Sequence, residues 1–209
     1  MGYLNNFLKL DCSNDVLTAV GRVNNLSKEI TESMAVIKQI KKIVYSSKDE
    51  YILHDLCAGN ALTSVISSHL FKLKKAIAYD KTPRIREWNF VKRFEYKQID
   101  IYNLPPSLFD NEASSIIIGV HACKDLAERI IEIYNRSNAS YLILMPCCRK
   151  KVLSSEIPRL IQAKIGGYLA WCYHLSNLCQ GKVKMVEDED VLSPCNCIIV
   201  ASKQKGASI

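Results

Sequence analysis

Several short segments carry residue types that could do chemistry, and each lies at the end of an apolar run. The first reads His54-Asp55-Leu56-Cys57-Ala58-Gly59-Asn60-Ala61. Its small residues let backbone N–H groups approach a ligand closely at the start of a following helix. Asp80 closes the next apolar run, about twenty residues after Gly59. An acidic residue at that interval can accept hydrogen bonds from both ribose hydroxyls of a nucleoside cofactor. Asp100 ends a third run and is placed to meet an adenine amino group. Lys81 and Ile101 follow the two aspartates and belong to the same candidate surface. A small-residue turn alone is often only packing, but loop, Asp80 and Asp100 at these intervals indicate a nucleoside site.

The elements that must position these residues read as alternating strands and helices. Residues 51–55, 75–79, 96–99, 115–120 and 141–145 are short apolar strand candidates, the last ended by Pro146. Helices are expected at 61–71, 82–92, 124–134, 154–164 and 168–179, and the chain closes on a hairpin formed by 182–186 and 197–201. Apolar positions at Leu26, Ile30, Met34, Ile37, Ile40 and Val44 recur every three to four residues, as in an amphipathic helix. Ser27 is its candidate cap, and a shorter helix covers about 14–23. The expected fold is α/β and Rossmann-like: a mostly parallel seven-stranded sheet, N-terminal helices and a C-terminal antiparallel hairpin. Residues 1–48 read as a helical extension and 49–209 as the cofactor-binding domain. Ligands in such sheets bind beyond the carboxyl ends of the strands, and that is where the informative residues fall.

At these residues the chain resembles the class I S-adenosylmethionine-dependent methyltransferases. The likeness spans about 50–203. The family's loop reads acidic-x-Gly-x-Gly-x-Gly, whereas here it is Asp55-x-Cys57-x-Gly59-x-Ala61. Two glycines are thus replaced by small residues, which a loop needing closeness more than positive φ tolerates. The resemblance implies S-adenosylmethionine as cofactor, with Asp55, Cys57, Ala58, Gly59 and Asn60 around the methionine part, Asp80 with Lys81 at the ribose, and Asp100 with Ile101 at the adenine. Dinucleotide oxidoreductases are the rival family, but their pyrophosphate turn keeps a glycine that Cys57, Ala58 and Asn60 replace poorly.

A narrower resemblance lies after the fourth and fifth strands. Gly119-Val-His121-Ala-Cys123-Lys124-Asp125-Leu126 and Met145-Pro146-Cys147-Cys148 are similar to the His-x-Cys-Gly…Asp-Leu and Cys-Cys segments of one methyltransferase branch. That branch includes eukaryotic tRNA ribose 2′-O-methyltransferases. Lys124 replaces its glycine, and its zinc-finger module is missing. His121 lies where the acceptor should enter and beside the cofactor, so it is a candidate general base or orienting group. The alternative is a histidine bonded to backbone at a strand end. Asp125 is a candidate helix cap. Cys123, Lys124, Cys147, Cys148 and Arg149 are candidate substrate contacts. The cysteine pair has three readings: packing at the pocket floor, a covalent nucleophile, or metal ligation with Cys123 and His121. Vicinal cysteines lack the usual Cys-x-x-Cys spacing, so no metal is expected. Arg149, Lys150 and Lys151 suit either a phosphate or a solvated helix start.

Charge bears on the acceptor. The net charge is +7, and Lys72 to Lys97 holds nine Lys or Arg against three Asp or Glu. This is either a solvated face or a surface for a polyanion. RNA is therefore the expected partner, with ribose 2′-oxygen preferred; a small metabolite, or a non-catalytic cofactor-binding subunit, is the alternative. No apolar run reaches the roughly 18 residues of a membrane helix, and no signal peptide is visible, so a cytoplasmic protein without membrane association is expected. The nine cysteines read as reduced thiols buried in apolar runs. Oligomeric state is not legible.

Overall fold

The computed structural model describes residues 2–110, 114–149 and 157–203. Three helices come first: α1 (Tyr3–Leu8), α2 (Ser13–Val20) and α3 (Leu26–Ser46). Then follow β1 (Tyr51–Leu56), α4 (Leu62–Leu70), β2 (Lys75–Asp80), β3 (Phe94–Gln98), β4 (Ser114–Val120), α5 (Asp125–Arg136) and β5 (Tyr141–Met145). The chain ends with α6 (Arg159–Leu178), β6 (Lys182–Glu187) and β7 (Cys197–Ser202). The strands form one sheet in the order β3-β2-β1-β4-β5-β7-β6. The first five strands pair in parallel, and β7 and β6 are added antiparallel. The expected fold is the observed one.

Every residue of β1 is buried because helices cover both faces. Tyr51 and Leu53 join the core beneath α1–α4, while Ile52 and Leu56 join the core beneath α5 and α6. The N-terminal helices belong to the first of these cores. Ile30, Ile37, Ile40 and Ile43 of α3 are buried in it, each worth about 2 kcal/mol of transfer free energy. α3 starts after Asn25, whose backbone is left-handed and whose side chain makes no capping bond, so Ser27 is not the cap. In α5 the cap position is Lys124, and Asp125 is the first helical residue. α6 breaks at Gly166 (φ 78°), matching the two helices expected there; of the earlier one, 154–156 lie outside the described residues.

The helix expected over 82–92 is absent. That segment holds only a 3₁₀ turn at Trp88–Phe90. Ile85 is 99% exposed, so no apolar stripe exists to hold a helix against the sheet. Trp88 instead stacks on Tyr96 at 4.3 Å. No described helix is long and apolar enough to cross a membrane. All nine cysteines are thiols; Cys172 and Cys197 are fully buried and the other seven partly buried, Cys12, Cys57 and Cys179 of these packing against the core.

Candidate functional site

Chain order leaves β1 for β2 and β3 and then returns to β4, so direction reverses between β1 and β4. A crevice opens at their carboxyl ends. Two pockets lie there. One is lined by Cys57, Tyr79, Asp80, Lys81, Ile99, Asp100, Ile101, Tyr102 and Leu126. The other is lined by Glu29, Ser33, Asp55, Ala58, Leu62, Thr63, Val120 and His121. The 57–61 loop runs between them.

The loop departs from expectation in one respect. Cys57, Gly59 and Ala61 have φ of 62°, 54° and 57°. The two residues that replace glycine therefore keep the left-handed backbone rather than relaxing it, at about 1 kcal/mol each. The loop needs positive φ as well as small side chains. Ala58 N–H donates to Tyr79 O at 3.0 Å and Ala61 N–H to Ala58 O at 2.7 Å, which pins the strained turn. A Cβ on Gly59 would meet nothing within 4 Å, so space is open beside it.

Asp80 anchors the same turn. Its Oδ2 accepts from Gly59 N–H at 2.9 Å and its Oδ1 from Thr82 N–H at 2.8 Å. Each carboxylate oxygen retains acceptor capacity for a further donor in the pocket. Asp100 Oδ1 accepts from Tyr102 N–H at 3.0 Å and starts a 3₁₀ turn at Ile101–Asn103. Asn60 lines neither pocket. Its amide nitrogen donates to Glu29 at 3.4 Å and its oxygen accepts from Arg86 at 3.1 Å, tying the loop to α3 and to the 81–87 segment.

Asp55 is 2% exposed. Its Oδ2 accepts from Ser64 Oγ at 2.7 Å, while Oδ1 has no hydrogen-bond partner. Burial pushes its pKa up to about 7, against the opposing pull of Ser64. An orphaned carboxyl oxygen facing a pocket is a place for a donor or cation to settle. Burial, aided by the charges of Asp80, Asp55 and Asp100, pushes the Cys57 thiol up to about 12. It is a neutral, space-filling group.

His121 lies one residue past β4, at φ 63°, and its N–H extends the ladder to Met145 O at 2.9 Å. Its Nε2 stands 2.5 Å from Oε2 of Glu32. Glu32 is fully buried, and Lys28 Nζ lies 3.3 Å from its other oxygen as an ion pair rather than an aligned hydrogen bond. The main chain fixes the residue, as the backbone-bonded reading expected, and a carboxylate fixes the ring. A histidine held by a carboxylate is oriented for proton transfer. Sequence reasoning did not find Glu29, Glu32 or Ser33. Their i, i+3, i+4 spacing puts them on one face of α3, and a charged pair on that face was the available signal.

Beyond His121, β4 and β5 run in register with Val120 opposite Met145. Cys123, three residues past one end, therefore meets Cys147 and Cys148, two and three past the other. Cys123 Sγ lies 3.2 Å from Cys148 Sγ, and Cys147 Sγ lies 3.5 Å from it. Cys123 and Cys147 both donate to His121 O. Contacts of the Cys123 and Cys147 thiols with Cys148, with Lys124 and Lys28 nearby, lower the Cys148 pKa; burial raises those of Cys123 and Cys147. Lys124 and Arg149 are exposed at the rim. Lys150 and Lys151 lie outside the described residues.

The Lys72–Lys97 cluster divides. Lys72 and Lys74 precede β2, Lys75 begins it, and Lys92 and Arg93 precede β3, at the end of the sheet away from the crevice. Lys75 and Lys97 pair with Glu95 at 2.5 and 3.7 Å. Arg86 and Arg93 are spent on backbone and amide oxygens. Lys81 and Arg84 are the exposed cations of this cluster on the crevice side.

Residues 26–155 match a family described as a methyltransferase domain. This exceeds half of the chain, and the protein belongs to that family. No curated protein matches the sequence. The fold is similar to the methyltransferase domain of bacterial CtHen1-CN, with a TM-score of 0.54 and 10% identity over 82% of this chain and 99% of that one. It is also similar to magnesium protoporphyrin IX methyltransferase from Synechocystis PCC 6803 with bound SAH, with a TM-score of 0.53 and 14% identity over 93% and 95% of the two chains. Identities this low speak for the fold alone. The family match identifies a methyltransferase, on a fold that in the Synechocystis enzyme holds SAH, the product form of S-adenosylmethionine. The site suits that cofactor in two respects: an orphaned acidic oxygen on Asp55 and open space beside Gly59.

Proposed function

We propose that this methyltransferase acts on RNA, with a ribose 2′-hydroxyl as the methyl acceptor. The observation that carries this reading is His121 held by the buried Glu32 at the mouth of the crevice. A hydroxyl is a poor nucleophile, so its attack is helped by a positioned base. With Nε2 engaged by Glu32, Nδ1 is the ring nitrogen that can take the acceptor's proton. Glu32 then stabilises the imidazolium that forms, as the carboxylate does in other histidine–acid pairs.

Cofactor binding is divided between the two pockets. Asp55 and the backbone of Ala58 and Gly59 hold the methionine part. Asp80 and Lys81 take the ribose, and Asp100, Ile101 and Tyr102 enclose the adenine. S-adenosylmethionine, when bound, supplies an electrophilic methyl group on its sulfonium.

RNA is favoured over a small metabolite by the rim. Lys81, Arg84, Lys124 and Arg149 are exposed, and all follow carboxyl ends of strands at the crevice. Tyr102, 55% exposed, lines the crevice with Lys81. Cations beside an exposed ring suit a phosphate backbone and an unstacked base. The test is transfer of labelled methyl from S-adenosylmethionine into total RNA, followed by alkaline hydrolysis. A 2′-O-methyl blocks cleavage, so label in alkali-resistant dinucleotides is expected. Label in mononucleotides would redirect the reaction to a base, and label only in small metabolites would overturn the RNA reading.

A further inference from the structure

We propose that Cys123, Cys147 and Cys148 form a three-thiolate zinc site beside the acceptor end of the crevice. Their sulfur atoms lie within 4.8 Å of one another, with the measured edges at 3.2 and 3.5 Å. Two thiolates bound to tetrahedral Zn²⁺ at about 2.3 Å stand about 3.8 Å apart. The two measured edges therefore need to open by only about 0.3–0.6 Å to make one face of a tetrahedron. All three are only partly buried, so a cation can reach them. Cys195 is tied to Cys147 O at 2.9 Å and stands outside the triad. One tetrahedral corner is left for water or a substrate atom, as in zinc sites that do chemistry.

The surroundings suit this occupant. Three thiolates around Zn²⁺ carry one net negative charge, and the charges of Lys124 and Lys28 act on Cys148. Soft sulfur donors select zinc over magnesium or calcium. Binding displaces the thiol protons to solvent, and no electron transfer is involved. The spacing along the chain conceals the site, because two ligands are vicinal and the third is 24 residues upstream of Cys147. Parallel register of β4 with β5 brings them together.

The rival use of close thiols is a Cys123–Cys148 disulfide. One experiment separates them. Reduced full-length protein is titrated with Co²⁺ under argon and then with Zn²⁺. One Co²⁺ per chain is expected, with a thiolate-to-cobalt charge-transfer band and tetrahedral d–d bands that Zn²⁺ abolishes. Cys123→Ser, Cys147→Ser and Cys148→Ser should each weaken uptake more than about 100-fold, beyond what loss of an outer contact does. Cys12→Ser and Cys179→Ser should leave it unchanged, and circular dichroism confirms that each variant is folded. Zinc should also protect the three thiols from alkylation. No uptake, uptake indifferent to the three variants, or a Cys123–Cys148 disulfide forming equally fast with and without Zn²⁺ would each overturn the proposal.

Discussion

Asp55 gives the sharpest test of how the cofactor is held. Its carboxyl is enclosed, with Oδ2 bonded to Ser64 and Oδ1 unpartnered, and burial lifts its pKa to about 7. A cation against Oδ1 reverses that balance, because an opposite charge within hydrogen-bonding range lowers a carboxyl pKa by about 1–3 units. In the proposed complex the cation is the α-ammonium of the cofactor. Binding and ionisation of Asp55 are then linked, and binding at pH 7 expels about half a proton from a group with pKa about 7. Below that value each unit of acidification weakens binding by up to about tenfold, or about 1.4 kcal/mol. With a depression of about two units, the loss between about pH 7 and pH 5 is about 25-fold, and about 100-fold over the whole acid limb. The ligand's own α-amino group titrates near about 8, so affinity falls again on the alkaline side and peaks between the two.

The assay is calorimetry with S-adenosylhomocysteine from about pH 5.5 to 8, in buffers of unlike ionisation enthalpy, which yields the proton count directly. Asp55→Asn keeps the shape and one acceptor oxygen but cannot titrate. It should bind more weakly near the optimum and lose the acid limb. Affinity that is constant from about pH 5.5 to 7.5 with no proton release, or an acid limb unchanged in Asp55→Asn, would refute the reasoning.

Asp80→Ala removes two acceptors that hold the loop, and should weaken S-adenosylhomocysteine binding by about 2–3 kcal/mol, since bonds to a charged group are the strong ones; an unchanged Kd rejects the anchoring role. Glu32→Gln keeps a partner for His121 without its charge, so kcat should fall about 10–100-fold while cofactor Kd holds, and equal loss in both would mean a merely structural role. His54 is buried and its pKa is pushed down to about 3, so its contribution to stability is present above about pH 6.5 and fades as pH falls towards about 3. Asp55 acts oppositely, its penalty growing from about pH 4 to about 7. His54→Asn should therefore gain stability in urea on acidification from about pH 7 to 5, where the wild type changes little, and a variant that still loses stability would contradict both shifts. Gly59→Ala should cost about 1 kcal/mol of folding stability at φ 54° but weaken cofactor binding further, because the methyl enters the open space; unchanged binding would place the ligand elsewhere.

How legible the fold was follows from which signals are local. β1, β4 and β5 read directly because covered strands are continuous apolar runs, and the position of Asp55, Asp80 and Asp100 at the crevice could be read because it follows from the strand ends. The helix misread over 82–92 shows the limit of that alternation. Its one fully exposed apolar residue, Ile85, argued against a helix, and only the stacking of Trp88 on Tyr96 shows where the segment goes. Positive φ at Cys57 and Ala61 was equally concealed, since neither residue type announces a left-handed backbone.

The contacts that sequence could not supply are those made between elements far apart in the chain. Glu32 reaches His121 across 89 residues, from a helix that precedes the first strand. Residues 26–46 lie within the stretch that matches the methyltransferase domain, and α3 shares a core with β1 and α4. Glu29 and Ser33 of the same helix line the pocket with Asp55, and Ser33 accepts from Thr63 at 2.9 Å. A helix that supplies the partner of the candidate base must be seated before that base is oriented. If His121 is the base proposed above, docking of α3 is part of the chemistry, and a change on its buried face should alter turnover before it alters cofactor binding on the far side of the loop.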